Sequence, residues 1–166
     1  MRRIAIIGEN TNLIYIIKKE LLQLNIRYEL VQLEDAEVSV DYVIINEDTD
    51  YNFKNIKGLY YLVNMDSKFK KDLNINGNVI TYGFGSKNTV TLSSAEKDEK
   101  YLVYCLQRYI GNMSKNTIEP CELPIKRSFN NNNELYGYMV AATIALLEDV
   151  DIRKLNFIFN NEEIFS

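Results

Sequence analysis

Histidine and tryptophan are absent from this chain of 166 residues, and cysteine and proline occur only twice each. Without histidine, the commonest general base of enzymes is missing and no Ser-His or Cys-His pair can form, which argues against most hydrolase chemistry. Cys105 and Cys121 are about sixteen residues apart, outside metal-ligand spacing, so we expect no structural zinc. We predict that both pack as small apolar side chains in a reducing compartment, with a disulfide as the less favoured alternative.

The chain also lacks an excess of basic residues and any long apolar run. With 19 Lys and Arg against 23 Asp and Glu, the net charge is -4 and the isoelectric point is near 5.0. Such a surface repels phosphate backbones and anionic lipids. Arg2 and Arg3 precede an apolar run, but residues 4–8 are too few for a signal peptide or a membrane span. We therefore expect a cytoplasmic protein with no nucleic-acid or membrane partner.

What is present is the composition of one globular domain, with 46% hydrophobic and 25% charged residues. Residues 3–8 form an apolar run closed by Gly8, which indicates a strand buried on both faces of a parallel sheet. Residues 9–12 supply turn and N-cap chemistry, and the apolar positions that follow have helical spacing. Further strands are predicted at 28–33, 42–45, 60–63 and 79–82, and a short helix at 67–73.

After Gly85 the strands follow one another without room for crossover helices, so they must pair antiparallel. We predict a meander of strands 89–94, 101–110 and 117–125, with the second in the middle. Three tyrosines in that middle strand, Tyr101, Tyr104 and Tyr109, are expected to serve core and interface packing.

The end of the chain is predicted to be helical at 134–148, with a packing face made of Met139, Ala142, Ala145 and Leu146. A short helix is expected to begin at Val150, and residues 156–159 to dock as a terminal strand or tail. The expected fold class is α/β: a Rossmann-like parallel sheet extended by an antiparallel β-meander, with helices on the faces. We treat 1–166 as one domain, with a Rossmann-like half at 1–85 and the meander plus C-terminal helix at 86–166.

A specific order of motifs begins at residues 62–66, where an apolar strand ends in Asn64-Met65-Asp66. The strand 79–84, Val-Ile-Thr-Tyr-Gly-Phe, comes next, and residues 118–125 form a later strand that closes on Leu123-Pro124. Residues 133–142 then start a helix, and Val-Asp-Ile follows at 150–152. In this order and spacing, residues 59–155 resemble the middle domain of the Mur ligases and their folylpolyglutamate synthetase relatives. The resemblance implies an α/β fold that, in the family, uses ATP and magnesium.

The departures from that family concern its catalytic parts. The family's P-loop should follow the first strand, yet residues 8–12 read Gly-Glu-Asn-Thr-Asn, with one glycine, no lysine and an acid that opposes a phosphate. At the position where the family has its magnesium-binding glutamate, this chain has Asn46. Its glutamate is Glu47, one residue out of the family pattern. Only about 55 residues separate Gly8 from Asn64, too few for the histidine and carbamylated-lysine segment. The resemblance therefore implies a degenerate domain without ligase chemistry.

Three functions stay open. The first is a non-catalytic Mur ligase-like module that acts by protein-partner binding or self-association. The second is a small-molecule or nucleotide sensor that uses the crevice at the carboxyl ends of the parallel strands. Its tentative ligand-binding residues are Gly8, Asn10, Asn46, Asn64 and Asp66.

The third is an enzyme built on the carboxylates Glu9, Glu47, Asp48 and Asp66, with magnesium. Asn64 matches the family asparagine that lies near adenine, but Asn64 and Asp66 also suit helix capping without a ligand. No catalytic residue, metal site or cofactor is predicted, although ATP with magnesium stays an alternative. A companion chain that supplies the missing ligase parts also stays an alternative.

Overall fold

The structure is a computed structural model that describes residues 1–34, 36–50, 55–69, 73 and 75–161. The elements within these ranges are β1 (Arg2–Ile7), α1 (Thr11–Gln23), β2 (Tyr28–Leu30), β3 (Val38–Ile45), β4 (Ile56–Asn64), β5 (Asn78–Tyr82), β6 (Val90–Glu96), β7 (Tyr101–Leu106), β8 (Ile110–Gly111), β9 (Thr117–Ile118), β10 (Cys121–Ile125), α2 (Asn132–Leu147) and α3 (Ile152–Asn160). Among these helices, none combines the length and the hydropathy needed to cross a membrane.

Eight strands form one mixed sheet in the order β10-β7-β6-β5-β4-β3-β1-β2. The strands from β2 to β6 pair parallel, and β6, β7 and β10 pair antiparallel with β7 in the middle. This confirms the α/β fold class with an antiparallel meander at one side. The two parts of the sheet meet at a single parallel pair, Tyr82 and Val90.

The three helices contribute to one hydrophobic core on one face of the sheet. In α1, the residues with helical spacing are buried as expected. In α2, every residue from 135 to 147 is buried, not only the predicted face of four, because α2 lies between α1 and the sheet. The two helices approach closely at Gly137, where a Cβ atom would lie 2.7 Å from the Cβ of Ile16.

The opposite face of the parallel strands has a smaller core to which no described helix contributes. Ala5, Ile7, Val43, Ile45 and Val63 are buried there. Partly buried apolar side chains pack against them, one from the start of β3 and the others from connecting segments: Val38, and Val31, Leu33, Phe69, Leu73 and Ile75. Because both faces are covered, β1 and β3 end in runs of consecutive apolar residues at 4–7 and 42–45, which explains the run seen in the sequence.

A buried ion pair ties the two ends of the chain together. Arg127 follows β10, and its Nε donates to Glu20 Oε1 of α1 at 3.0 Å, with both side chains at most 1% exposed. The Arg127 guanidinium also donates to Gln23 Oε1 at 2.8 Å and to the carbonyls of Ile158 and Phe159 at 3.0 and 3.2 Å. One side chain thus satisfies the last carbonyls of α3 and fixes that helix against α1.

The meander differs from the prediction in its middle. The strand expected at 101–110 ends at Leu106, because Gln107 turns its side chain to the carbonyls of Ser86 and Asn88, at 3.1 and 2.7 Å. Residues 110–111 and 117–118 pair as a separate hairpin, so the strand expected at 117–125 is split before β10. Pro120 lies at the split, where it can donate no ladder hydrogen bond.

Three shorter predictions also differ from the structure, in whole or in part. Residues 156–159 belong to α3 and not to a terminal strand, because Asp151 caps that helix and Leu155 and Phe159 bury its inner face. The strand expected at 28–33 ends at Leu30. Of the helix expected at 67–73, residues 67–69 are not helical, and 70–72 lie outside the described residues.

The two cysteines are free thiols on neighbouring strands. Cys105 lies opposite Glu122, whereas Cys121 lies opposite Leu106, which belongs to the helix-side core. Residues directly opposite each other share a face, and successive residues alternate, so the two thiols leave the sheet on opposite faces. The strand register therefore excludes the disulfide that the sequence left as an alternative.

Candidate functional site

The carboxyl ends of β1, β3, β4 and β5 meet at one edge of the sheet, where the sequence predicts a crevice. Asn46 follows β3 and is 1% exposed, and Asn64 ends β4 and is 3% exposed. The Asn64 Nδ2 donates to Asn46 Oδ1 at 3.2 Å. The structure thus brings together two of the five tentative ligand-binding residues, and joins them directly.

The same amides bind the neighbouring elements. The Tyr82 hydroxyl, at the end of β5, donates to Asn46 Oδ1 at 2.9 Å, and Asn46 Nδ2 donates to Asn133 Oδ1 in the first turn of α2 at 3.3 Å. Burial, with smaller effects of Tyr136 and Asp66, raises the pKa of Tyr82 well above its ordinary value, so this hydroxyl stays a donor. The network connects three strands to α2 and leaves these buried polar groups paired.

Asp66 is an exposed carboxylate beside this network. Its Oδ2 accepts from the Phe84 backbone N–H at 2.9 Å and from the Tyr136 hydroxyl at 2.8 Å. Its own backbone N–H donates to Asn64 Oδ1 at 3.0 Å. Gly83 has a φ of 148°, and a Cβ atom there would lie 2.7 Å from Asp66 Oδ1. The position of the Asp66 carboxylate therefore requires glycine at residue 83.

Tyr136 and Phe84 both donate to this carboxylate, and their rings contact each other. Their ring centroids are 5.1 Å apart, and Phe84 is 40% exposed. Burial, together with the hydrogen bond to Asp66, raises the pKa of Tyr136, since ionisation would place two negative charges side by side. The Asp66–Tyr136 contact therefore fixes the start of α2 to the loop after β4.

Gly8 and Asn10 serve the first βα turn. Gly8 has a φ of 74°, and a Cβ atom there would lie 2.5 Å from the Glu47 backbone nitrogen, so the turn closes directly on the chain after β3. Asn10 is the N-cap of α1, and its Oδ1 accepts from the backbone N–H groups of Asn12 and Leu13 at 3.0 and 3.3 Å. Asn10 thus belongs to its own helix and not to the amide network.

These contacts decide how well the edge suits a nucleoside triphosphate. A phosphate cradle needs free backbone N–H groups at a helix N-terminus and a nearby cation. At α1, the Asn12 and Leu13 N–H groups already bond to Asn10, and the turn holds no lysine. At α2, Asn131 Oδ1 accepts from Glu134 N–H at 3.0 Å, and Glu134 Oε2 accepts from Asn130 N–H at 2.7 Å. The first βα turn and the start of α2 therefore do not fit a triphosphate.

The carboxylates considered for an enzyme do not assemble into a metal site. Within the part of the chain that the structure describes, no three Cys, Asp or Glu side chains come together in a way that could hold a metal ion. Asp66 Oδ2 already accepts hydrogen bonds from the Phe84 N–H and the Tyr136 hydroxyl.

Sequence reasoning missed three members of the network: Tyr82, Asn133 and Tyr136. All three lie inside motifs that carried the resemblance, at 79–84 and 133–142, but their residue types gave no reason to select them. Only the packing of α2 against the strand ends brings them to Asn46 and Asp66.

Comparisons with known proteins support the fold alone. No protein-family model and no curated protein sequence matches the chain. Among solved structures, MurF from Acinetobacter baumannii is similar, with a TM-score of 0.56 and 9% sequence identity. The similarity covers 96% of this chain and 46% of the MurF chain, so the protein spans less than half the length of that ligase. The protein has a Mur ligase-like fold.

Proposed function

We propose that this protein is a non-catalytic module with a Mur ligase-like fold that acts by binding a protein, either a different chain or a second copy of itself. The observation that carries the proposal is that polar side chains at the carboxyl edge of the sheet already form hydrogen bonds within the protein. There the polar side chains of Asn46, Asn64, Tyr82 and Tyr136 bond to one another or to Asp66, and fasten α2 to the strands.

Ligase chemistry needs a cradle for the transferred phosphoryl group, a cation beside it and bound magnesium. The first βα turn offers a capped helix, a glutamate and no lysine. In α1 the N-cap side chain accepts from the Asn12 and Leu13 N–H groups, and in α2 it accepts from the Glu134 N–H. These caps support a role without nucleotide turnover, because a triphosphate at these helix starts would have to replace those hydrogen bonds.

A protein-binding role also needs apolar side chains in contact with solvent. Several large ones are more than half exposed, including Tyr15, Leu59, Tyr109 and Phe157. Single exposed apolar residues are ordinary on protein surfaces, whereas neighbouring ones are more informative. Met65 and Val79, which are 53% and 46% exposed, both line a cavity of about 460 Å³ beside the smaller core.

A second candidate, a small-molecule sensor, is favoured by one feature. Asp66 is exposed next to the 40% exposed ring of Phe84, so a carboxylate and an aromatic face are available together at the carboxyl edge. This pair would suit a cationic or hydrogen-bond-donating ligand. It would not use the buried amides of Asn46 and Asn64.

The test is a thermal-shift and calorimetric titration of the whole protein with ATP, ADP, UDP-sugars and amino acids, each with magnesium at millimolar concentration. Binding to the native state must raise the melting temperature by mass action. We expect no shift with ATP or ADP. A shift that disappears in Asp66→Ala, but persists in Tyr15→Ala as the matched surface control, would replace the proposal with the sensor function.

A further inference from the structure

One asparagine of the chain stands directly before a glycine, in the segment that leads into β5. Asparagine is common in the sequence, but only Asn76 precedes any of the seven glycines. Because glycine has no Cβ atom, the backbone nitrogen of Gly77 is more accessible to the side chain before it than that of any other residue type would be. An Asn-Gly pair therefore favours attack of the glycine nitrogen on the asparagine side chain, a reaction that makes asparagine a thermolabile residue.

The structure leaves both reacting groups of this pair open. Asn76 and Gly77 are exposed, and they belong neither to a helix nor to a strand. Within the described residues, the Asn76 side chain and the Gly77 backbone N–H have no hydrogen-bond partner. Asn78 differs, since its Nδ2 donates to the Leu59 carbonyl at 2.9 Å. In this part of the chain, no hydrogen bond therefore has to break before the Gly77 nitrogen reaches the Asn76 side chain.

We infer that Asn76 is a site of spontaneous deamidation in the folded protein. The Gly77 nitrogen gives up its proton and bonds to Asn76 Cγ, the Cγ–Nδ2 bond breaks, and the released amine takes up a proton and leaves as ammonia. The product is a cyclic succinimide, which water then opens. Cleavage of the bond between nitrogen and Cγ gives aspartate, whereas cleavage between nitrogen and the main-chain carbonyl carbon gives isoaspartate. Water is the co-reactant, and the inference goes beyond the proposed protein-binding function.

The two products differ in their effect on the start of β5. Isoaspartate adds one carbon atom to the backbone between residues 76 and 77, and the packing beyond that point is close. A Cβ atom built on Gly77 would lie 2.7 Å from Tyr61 Cε2, and the next residue, Asn78, pairs with Tyr60 of β4. The added atom must displace one of these contacts, so isoaspartate loosens the pairing of β4 with β5. Aspartate keeps the backbone length and adds a negative charge at an exposed position.

Incubation of the full chain under native conditions, followed by peptide mass spectrometry, tests the inference. We expect the peptide that contains Asn76 to gain the mass that replacement of NH₂ by OH adds. The rate should rise with pH, because the attacking nitrogen must lose its proton. Asn116 is the control within the same sample, since it is exposed in the turn between β8 and β9 but precedes Thr117. It should stay unmodified over the same time.

Two variants separate the chemistry from its consequence. Asn76→Gln keeps an exposed amide on a longer side chain, which cannot form the same ring, so the modified peptide should be lost. Asn76→Asp supplies the negative charge without the added backbone atom, and it should melt at the temperature of the wild type. The isoaspartate form, separated by ion exchange from the incubated wild type and identified by electron-transfer fragmentation, should melt at a lower temperature.

The same incubation in guanidinium chloride measures what the fold contributes. We expect similar rates at Asn76 in the folded and unfolded chains, because the fold leaves the pair open. An Asn76 that stays unmodified in the folded protein would overturn the inference, whatever the unfolded chain does, and so would equal modification of Asn116. None of these outcomes bears on the nucleotide titration above, which probes the carboxyl edge of the sheet at the other end of β5.

Discussion

The parallel and antiparallel parts of the sheet bury their strands in different ways. In β3, the consecutive residues Val43 and Ile44 are both fully buried, one in each hydrophobic core. In β7, Leu102 is fully buried but the next residue, Val103, is partly exposed, and the strand alternates in this way along its whole length. Crossover connections cover the second face of a parallel sheet, whereas the short turns of a meander leave one face to the solvent.

The difference shows what each part contributes. The parallel strands hold a two-sided core and present their carboxyl ends to the polar network. The meander adds a one-sided layer that completes the core around α2, for example through the Tyr104 hydroxyl and Thr143 Oγ1, which lie 2.9 Å apart. Since the sheet joins the two parts at a single residue pair, other contacts must hold them together.

The largest effect is expected from the contact that spans both parts. Replacing Arg127 with Met leaves Glu20 buried without its cation and frees the last carbonyls of α3. We expect a loss of about 3–5 kcal/mol in the free energy of unfolding. Urea denaturation monitored by circular dichroism measures it.

The double variant Glu20→Met/Arg127→Met is the control, because replacing a buried pair by apolar side chains of similar size is often neutral. It should recover part of the loss, since Glu20 no longer leaves a buried charge, whereas Gln23 and the last carbonyls of α3 still lack the guanidinium. If the single and double variants are equally unstable, the pair is not what joins the two parts.

The next largest effect is a difference in stability loss between alanine substitutions at neighbouring residues. Leu102→Ala should cost about 3 kcal/mol, since it opens a cavity in the helix-side core, while Val103→Ala should cost less than about 1 kcal/mol. In β3, Val43→Ala and Ile44→Ala should both be costly, because each faces a core. Equal losses at 102 and 103, measured by the same denaturation, would show that the outer face of the meander is covered after all.

The smallest effect is a dependence on alkaline pH. Burial raises the pKa of Tyr104 in β7, partly offset by its hydrogen bond to Thr143, and also raises the pKa of Tyr82 in β5. The folded pKa lies above the unfolded value near 10, so the stability from these tyrosines is complete below pH 10 and is lost as the pH rises beyond it.

Each such tyrosine should contribute a slope of up to about 1.4 kcal/mol per pH unit above pH 10. Tyr104→Phe should make the decline shallower by that amount, as measured by urea denaturation between about pH 9 and 11. An unchanged slope would mean that Tyr104 reaches solvent in the folded protein.

Much of the architecture could be predicted because it depends on local patterns. The run at residues 3–8, the periodic apolar positions of α1 and the missing crossover helices after Gly85 led to the right sheet class. The errors occurred where side chains bond to distant backbone. Nothing near Gln107 in the sequence shows that its amide binds the loop at 86–88 and ends β7 there.

Only part of the candidate site could be predicted from the sequence, for the same reason. The position of Asn46, Asn64 and Asp66 after parallel strands placed them correctly at one edge, because parallel strands share that edge. Their engagement with Tyr82, Asn133 and Tyr136 depends on where α2 crosses the sheet, and α2 is nearly 70 residues from Asn64 along the chain.

By itself, the sequence determined the central parallel strands, the first helix, the antiparallel pairing after Gly85 and the absence of a P-loop lysine and of histidine, because these depend on residue type and local periodicity. Only the tertiary structure decided that the polar strand ends bind one another, that Arg127 joins α1 to α3, and that Gly77 packs against Tyr61. Such contacts bring together residues far apart in the chain, and no local pattern encodes which distant groups will meet when the core packs.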